Sequence, residues 1–152
     1  MSRREGETLF GDGTRCVHGG QSTPAPGAPL HPGPVFAAPY HLGGADSQGA
    51  DHYGRAGNPT WRALEAAIGD LDGGRCVLLP SGMAAVSTLL HTVLRNGDGL
   101  VLPSDGYYAT REFVREELGG LGLRVREVPT AGPWEDDVFD GVRLVLLETP
   151  SN

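Results

Sequence analysis

The sequence contains no lysine, because all 12 of its basic residues are arginine. A Schiff base forms between a carbonyl group and a side-chain amine, so no such step can be completed within these 152 residues. Cysteine is scarce as well: Cys16 and Cys76 lie far apart, and we interpret them as free thiols in a reducing cytoplasm. The five histidines also lack metal-ligand spacing, so we predict no metal site.

The sequence also has few positive charges and lacks long apolar runs. The net charge is −7, and such an acidic balance argues against a nucleic-acid partner, whose phosphates require a basic surface. No apolar run approaches the roughly 20 residues needed to cross a bilayer. Arg3 and Arg4 are not followed by the apolar core of a signal peptide. We therefore expect neither a nucleic-acid partner nor a membrane partner.

Glycine and proline, in contrast, are abundant and unevenly distributed. Residues 1–59 hold 12 of the 24 glycines and 7 of the 12 prolines. Closely spaced prolines favour extended backbone and exclude a long helix. We predict an extended arm over residues 1–50 and the start of a folded domain over residues 51–152.

Strands and helices alternate in the predicted domain. Asn58-Pro59-Thr60 is a helix start signal and Gly73-Gly74 a stop signal, and Ser81-Gly82 opens a second helix. Further elements are predicted as strands over 76–79, 100–102, 123–128 and 142–147, and a helix over 108–118. This order predicts an α/β fold with a mostly parallel sheet and flanking helices. In such sheets ligands bind at the carboxyl ends of the strands.

Two segments at predicted strand ends could bind a phosphorylated, flat ligand. Ser81, Gly82 and Met83 open a helix, where unpaired amides and a partial positive charge favour an anion. The same residues also fit an ordinary strand-to-helix turn with Ser81 as N-cap. Tyr107 could stack on a heteroaromatic ring, or pack on the core as a helix-start aromatic.

Three further candidates are ambiguous when taken alone. Tyr53 and Arg55 precede the first predicted helix and could grip a phosphate, although an arginine in a glycine-rich loop is also a common surface residue. Glu148 and Asn152 follow the last predicted strand and could hydrogen-bond a ligand. The segment Pro150-Ser151-Asn152 also has the composition of a simple turn.

The order of the motifs is more specific than any one of them. The motifs are Thr-Arg-Cys-Val-His-Gly-Gly-Gln at 14–21, Tyr-Gly-Arg-Ala-Gly-Asn-Pro-Thr at 53–60, Ser-Gly-Met-Ala-Ala at 81–85, Asp-Gly-Tyr-Tyr-Ala-Thr at 105–110 and Glu-Thr-Pro-Ser-Asn at 148–152. Together they resemble the cysteine/methionine-metabolism enzymes that depend on pyridoxal 5'-phosphate (PLP). That family includes cystathionine γ-synthase, cystathionine γ-lyase, cystathionine β-lyase and methionine γ-lyase.

The resemblance implies a fold type I large domain and a role for each matching residue. Ser81, Gly82 and Met83 hold the PLP phosphate, and Tyr107 stacks on the pyridine ring. Tyr53 and Arg55 are implied to reach the phosphate in a neighbouring subunit. Asn152 is implied to lie near the 3-hydroxyl oxygen of the ring, and Glu148 to support that edge of the site. The implied substrate is a sulfur amino acid, and the implied assembly is a homodimer or homotetramer that the arm clasps.

Departures from the family pattern affect the expected activity. Gly54 replaces the usual Ser or Thr, and Tyr108-Ala109 replaces a common Gly-Gly pair. Methionine γ-lyases tend to have Cys where Ala109 stands, so that member fits less well than cystathionine γ-lyase or γ-synthase. In the family, the Asp that pairs with the pyridine nitrogen and the Schiff-base lysine lie downstream of the 148–152 motif. We therefore expect the chain to be an N-terminal portion of such an enzyme and to be inactive alone. We also expect its predicted strand at 77–79 to lack the partner strand that it has in the family.

Two alternatives remain open at this point. The chain could be a non-catalytic module that binds a full-length homologue through the arm and the face of Tyr53 and Arg55. It could also be a prematurely ended gene product without a function.

Overall fold

The computed structural model describes residues 10–21, 25–31, 33–36, 38–42 and 51–151. These residues group into two compact units, Met1–Leu78 and Leu79–Asn152. The predicted division into an arm over 1–50 and a domain over 51–152 stays a prediction. Within the described ranges, no helix combines the length and apolar character that a membrane crossing requires.

The first unit contains two helices, α1 (Asp12–His18) and α2 (Pro59–Asp72). Asn58 caps α2 as predicted, because its Oδ1 accepts a hydrogen bond from the Thr60 amide at 2.8 Å. Gly73 ends the helix in the left-handed conformation, with φ of 66°. The prediction of an irregular arm missed α1, whose residues precede the first proline at Pro24.

Asn58 also joins the segment at Val35 to the start of α2. Its Nδ2 donates to the Val35 carbonyl at 2.9 Å, and the Thr60 hydroxyl accepts from the Val35 amide at 2.9 Å. Asn58 is only 8% exposed, so both ends of its side-chain amide are buried and both are satisfied. The Asn-Pro-Thr segment therefore both caps α2 and binds the backbone of Val35.

Replacing Asn58 with alanine should lower the stability of the first unit. The loss of one cap and one buried hydrogen bond predicts about 2 kcal/mol less stability, seen as a lower thermal midpoint by circular dichroism. Asn58→Asp is the matched control, because it keeps the capping oxygen and loses the donor to Val35, and its loss should be intermediate. Equal stability of Asn58→Ala and the wild type would contradict this account.

The second unit is a three-stranded parallel sheet with helices α3 (Gly82–Val93) and α4 (Tyr108–Glu116). The strands are β1 (Gly99–Pro103), β2 (Arg124–Val128) and β3 (Val142–Val145), in the order β2-β1-β3. Every residue of the central strand β1 is buried, as expected for an apolar run inside a parallel sheet. Short 3-10 turns lie at Gly119–Leu121 and Asp136–Phe139. The predicted α/β class is confirmed.

The core of the second unit lies between the sheet and its helices. It is built entirely of aliphatic side chains that the helical and strand periodicities place on facing surfaces. The buried cluster consists of Leu90, Leu94, Leu100, Leu102, Val114 and Leu118. This packing fixes where the carboxyl ends of β1 and β3 meet the start of α3.

The predicted strand over 76–79 is wrong, because residues 75–79 pair with no strand among the described residues. The amide of Leu78 is bonded instead to Glu65 Oε1 at 2.8 Å, and Val77 is 74% exposed. An apolar run becomes a strand only where a neighbour completes its hydrogen-bond ladder. The accompanying expectation that 77–79 has no partner strand agrees with this finding.

Candidate functional site

A cavity of about 260 Å³ opens at the carboxyl ends of β1 and β3 in the second unit. Most of its wall is apolar, and its polar groups come from a helix start, a phenol, a carboxylate, a hydroxyl and a guanidinium. Its lining consists of Gly82, Met83, Val86, Leu102, Pro103, Tyr107, Thr110, Arg111, Leu146, Leu147 and Glu148. The structure thus brings together Gly82, Met83, Tyr107 and Glu148 from three separated sequence motifs.

The start of α3 lines this cavity through Gly82 and Met83. Ser81 has extended backbone and caps the helix, because its Oγ accepts from the Ala84 amide at 3.1 Å. The amides of Gly82 and Met83 belong to the first turn and therefore have no acceptor inside the helix. A Cβ at Gly82 would meet no atom within 4 Å, so the space beside it is open. The N-cap and the anion-site interpretations of this motif are therefore compatible.

The thioether of Met83 anchors this helix start to α4. The Thr110 hydroxyl lies 3.8 Å from Met83 Sδ, within reach of a weak O–H···S hydrogen bond. Thr110 is 7% exposed. The contact holds the first turn of α3 against α4, the helix that Tyr107 precedes as N-cap.

Tyr107 stands at the N-cap position of α4, and the residue is 38% exposed. The ring meets Tyr108 edge-on, with centroids 5.2 Å apart and planes at 63°. Glu148, which follows β3, accepts a hydrogen bond from the Tyr107 amide through Oε2 at 2.7 Å. The side chain of Tyr107 thus lines the cavity, while the Tyr107 amide is hydrogen-bonded to Glu148, which also lines it.

The sequence did not predict the roles of Asp105 and Arg111, whose side chains support the turn before α4. Asp105 Oδ1 accepts from both the amide and the hydroxyl of Thr130 at 2.9 Å, and Arg111 donates to the Ser104 carbonyl. The Asp-Gly pair directly after a strand was the available signal for Asp105, since it marks a tight turn. Its partner Thr130 lies 25 residues away and had no local signature.

The pKa of Asp105 lies below its ordinary value, chiefly because the Thr130 amide donates to the carboxylate and secondly because the Thr130 hydroxyl does. A carboxyl group with a lowered folded-state pKa stabilises the fold above its unfolded-state pKa. That contribution is lost as the pH falls through the folded-state value. The turn is therefore held by an ionised Asp105 at neutral pH.

The remaining predicted site residues lie elsewhere. Tyr53 and Arg55 belong to the first unit and pair with each other, since the Arg55 guanidinium carbon lies 4.7 Å from the centre of the Tyr53 ring. Tyr53 is 41% exposed. Asn152 lies outside the described residues. Cys16 and Cys76 are free thiols, as predicted.

Comparison with known proteins gives a family match over nearly the whole chain. Residues 13–152 match the family model described as Cys/Met metabolism PLP-dependent enzyme. A Streptomyces coelicolor protein provisionally named cystathionine gamma-lyase is 48% identical over 147 residues, which cover 93% of this chain and 37% of that protein. Cystathionine gamma-synthase of Mycobacterium tuberculosis H37Rv is 33% identical over 154 residues, with 95% and 38% covered.

Solved structures give the same likeness in three dimensions. Cystathionine gamma synthase from Xanthomonas oryzae pv. oryzae, in complex with cystathionine, matches with a TM-score of 0.82 at 28% identity. That match covers 95% of this chain and 38% of the other. Cystathionine gamma-lyase from Lactobacillus plantarum, complexed with L-serine, matches with a TM-score of 0.76 at 26% identity, covering 93% and 38%. The chain therefore spans less than two fifths of the length of these relatives.

Proposed function

The chain belongs to the Cys/Met metabolism PLP-dependent enzymes, and on that basis we propose that its second unit holds the phosphate and ring of PLP for a carbon–sulfur lyase or transferase. The observation that carries the proposal is the single cavity shared by the open helix start at Gly82 and Met83, the ring of Tyr107 and the carboxylate of Glu148. When bound, PLP supplies an electron sink for the substrate.

The residues present fit this cofactor in chemical type. In this proposal the amides of Gly82 and Met83 donate to the phosphate, and the absent Cβ of Gly82 leaves the approach open. The partly exposed face of Tyr107 offers a surface for an electron-poor ring. Asn152 contacts the 3-hydroxyl oxygen of the cofactor in this proposal, and Ser81 maintains the helix start through its cap.

The substrate in this proposal is a sulfur amino acid of the cystathionine γ-lyase or γ-synthase type. Elimination or replacement of its γ-substituent requires a lysine that these 152 residues do not contain, so the chain alone is inactive. Tyr53 and Arg55 reach the phosphate of a neighbouring subunit in a homodimer or homotetramer. Two free thiols suit a cytoplasmic location.

The lack of lysine also favours a second candidate function, a non-catalytic module that binds a full-length homologue. The arm carries exposed apolar side chains that suit such binding, since Leu30 is 84% and Phe36 is 91% exposed. This candidate predicts that the chain co-purifies with a complete homologue. The cofactor-binding proposal does not require such a complex.

The test uses pyridoxamine 5'-phosphate, which carries the same phosphate and ring but has no aldehyde. We expect saturable binding by the purified chain in calorimetry, with a dissociation constant of order 10 µM, or about 7 kcal/mol. Incubation with PLP followed by borohydride should label no internal side chain, because no lysine is available. Peptide mass spectrometry should find any label on the α-amino group.

Two outcomes would contradict these expectations. Absence of binding at millimolar pyridoxamine 5'-phosphate, by a chain whose circular dichroism shows it folded, would remove the cofactor-site proposal. A borohydride-stable adduct on an internal peptide would show that another side chain replaces the missing amine.

A further inference from the structure

The amide of Tyr107 obtains its hydrogen-bond partner from a distant part of the second unit. Tyr107 occupies the N-cap position of α4, and no side-chain cap is made by Tyr107 itself. Amides at a helix start lack partners within the helix. Glu148, 41 residues further along the chain, accepts this N–H at 2.7 Å. A carboxylate near a helix N-terminus is also favoured by the helix dipole.

Gly106 makes this contact sterically possible. A Cβ on Gly106 would lie 2.9 Å from Glu148 Oε2 and 2.5 Å from Pro103 Cγ. A side chain at 106 would therefore force the carboxylate away from the helix start or displace the end of β1. Glycine at 106 therefore leaves room for both the end of β1 and the Glu148 carboxylate.

The hydrogen bond restrains the backbone from which the Tyr107 side chain extends. Tyr107 is 38% exposed, so packing alone restrains its ring weakly. Stacking on a flat ligand requires a defined ring plane, and a fixed backbone reduces the ordering that binding must impose. The edge contact with Tyr108 restrains the ring on one side.

We propose that Glu148 is a positioning residue, which holds the ring of Tyr107 in its stacking orientation through the Tyr107 amide. This inference rests on the proposed function and deepens it, because it assigns to Glu148 an indirect role in place of direct contact with the cofactor ring. Since the role depends on an acceptor oxygen, glutamine can substitute for glutamate and alanine cannot.

The test compares Glu148→Ala, Glu148→Gln and the control Glu112→Ala, which removes an exposed glutamate from the same helix that Tyr107 begins. Two quantities are measured, the hydrogen-exchange rate of the Tyr107 amide by NMR and the dissociation constant of pyridoxamine 5'-phosphate. In Glu148→Ala we expect both to rise about tenfold. In Glu148→Gln and Glu112→Ala both should stay within about threefold of wild type.

The outcomes separate the inference from the proposed function. Wild-type affinity and wild-type exchange in Glu148→Ala would overturn the inference. So would a Glu148→Gln variant that binds as poorly as Glu148→Ala while its Tyr107 amide stays protected, since that result indicates direct recognition by charge. If the wild type fails to bind pyridoxamine 5'-phosphate, the proposed function is lost. The exchange rates then still decide whether Glu148 fixes Tyr107.

Discussion

Replacing Gly82 with aspartate should weaken binding of pyridoxamine 5'-phosphate about 100-fold or more and leave the fold at least as stable as the wild type. The fold tolerates the change because a Cβ at this position meets no atom within 4 Å. An aspartate in the first turn of α3 also interacts favourably with the helix dipole. The ligand, however, loses the open space at the helix start and meets a carboxylate where its phosphate should bind.

The measurements are calorimetric titration with pyridoxamine 5'-phosphate and thermal unfolding by circular dichroism. Gly82→Ala adds the Cβ without the charge and should have an intermediate affinity. Gly120→Asp is the matched control, because it makes the same substitution at another glycine with open space around it, away from the cavity lining. Wild-type affinity in Gly82→Asp would show that the phosphate does not bind at the start of α3.

Features of the fold that depend on neighbouring residues in the chain could be predicted from the sequence. The caps at Asn58 and Ser81 are chemical properties of a few adjacent residues, and both form as expected. The apolar run 100–102 needs burial on both faces, and β1 occupies the centre of its sheet. The run at 76–79 is equally apolar but has no neighbouring strand among the described residues. The presence or absence of a neighbouring strand cannot be predicted from the apolar pattern of the run itself.

The sequence named candidate site residues without the contacts between them. The resemblance implies that Gly82, Tyr107 and Glu148 serve one site, and in the structure they line one cavity. The hydrogen bonds that hold the site together join residues far apart in sequence, as Glu148 does with the Tyr107 amide and Asp105 with Thr130. Such pairs leave no local signature, because each partner alone has the composition of an ordinary turn.

Gly19 and Gly20, in the motif at 14–21, allow the end of α1 to pack closely on α2. Gly20 has a positive φ of 71°, and a Cβ there would lie 2.2 Å from the Ala63 carbonyl oxygen on α2. Gly19 approaches Ala67 closely as well. These contacts bring the end of α1 onto α2, where Arg15 Nε also bonds Asp70 Oδ2 at 3.1 Å. Backbone packing at this point leaves no room for a side chain.

Replacing Gly20 with alanine should therefore destabilise the first unit by about 3 kcal/mol or more. Left-handed backbone alone accounts for about 1 kcal/mol of this loss, and the clash with the backbone of α2 supplies the rest. Gly27→Ala is the matched control: Gly27 also has positive φ, 80°, but a Cβ there meets nothing within 4 Å. The control should lose about 1 kcal/mol.

Urea unfolding can isolate this effect in the first unit. The sequence has two tryptophans, and Trp61 lies in α2. Variants made in a Trp134→Phe background leave Trp61 as the single tryptophan reporter. Gly20→Ala should then unfold at clearly lower urea than Gly27→Ala, because both share the strained φ and only one also collides with α2. Equal midpoints for the two variants would show that the contact between Gly20 and Ala63 does not hold the end of α1 on α2.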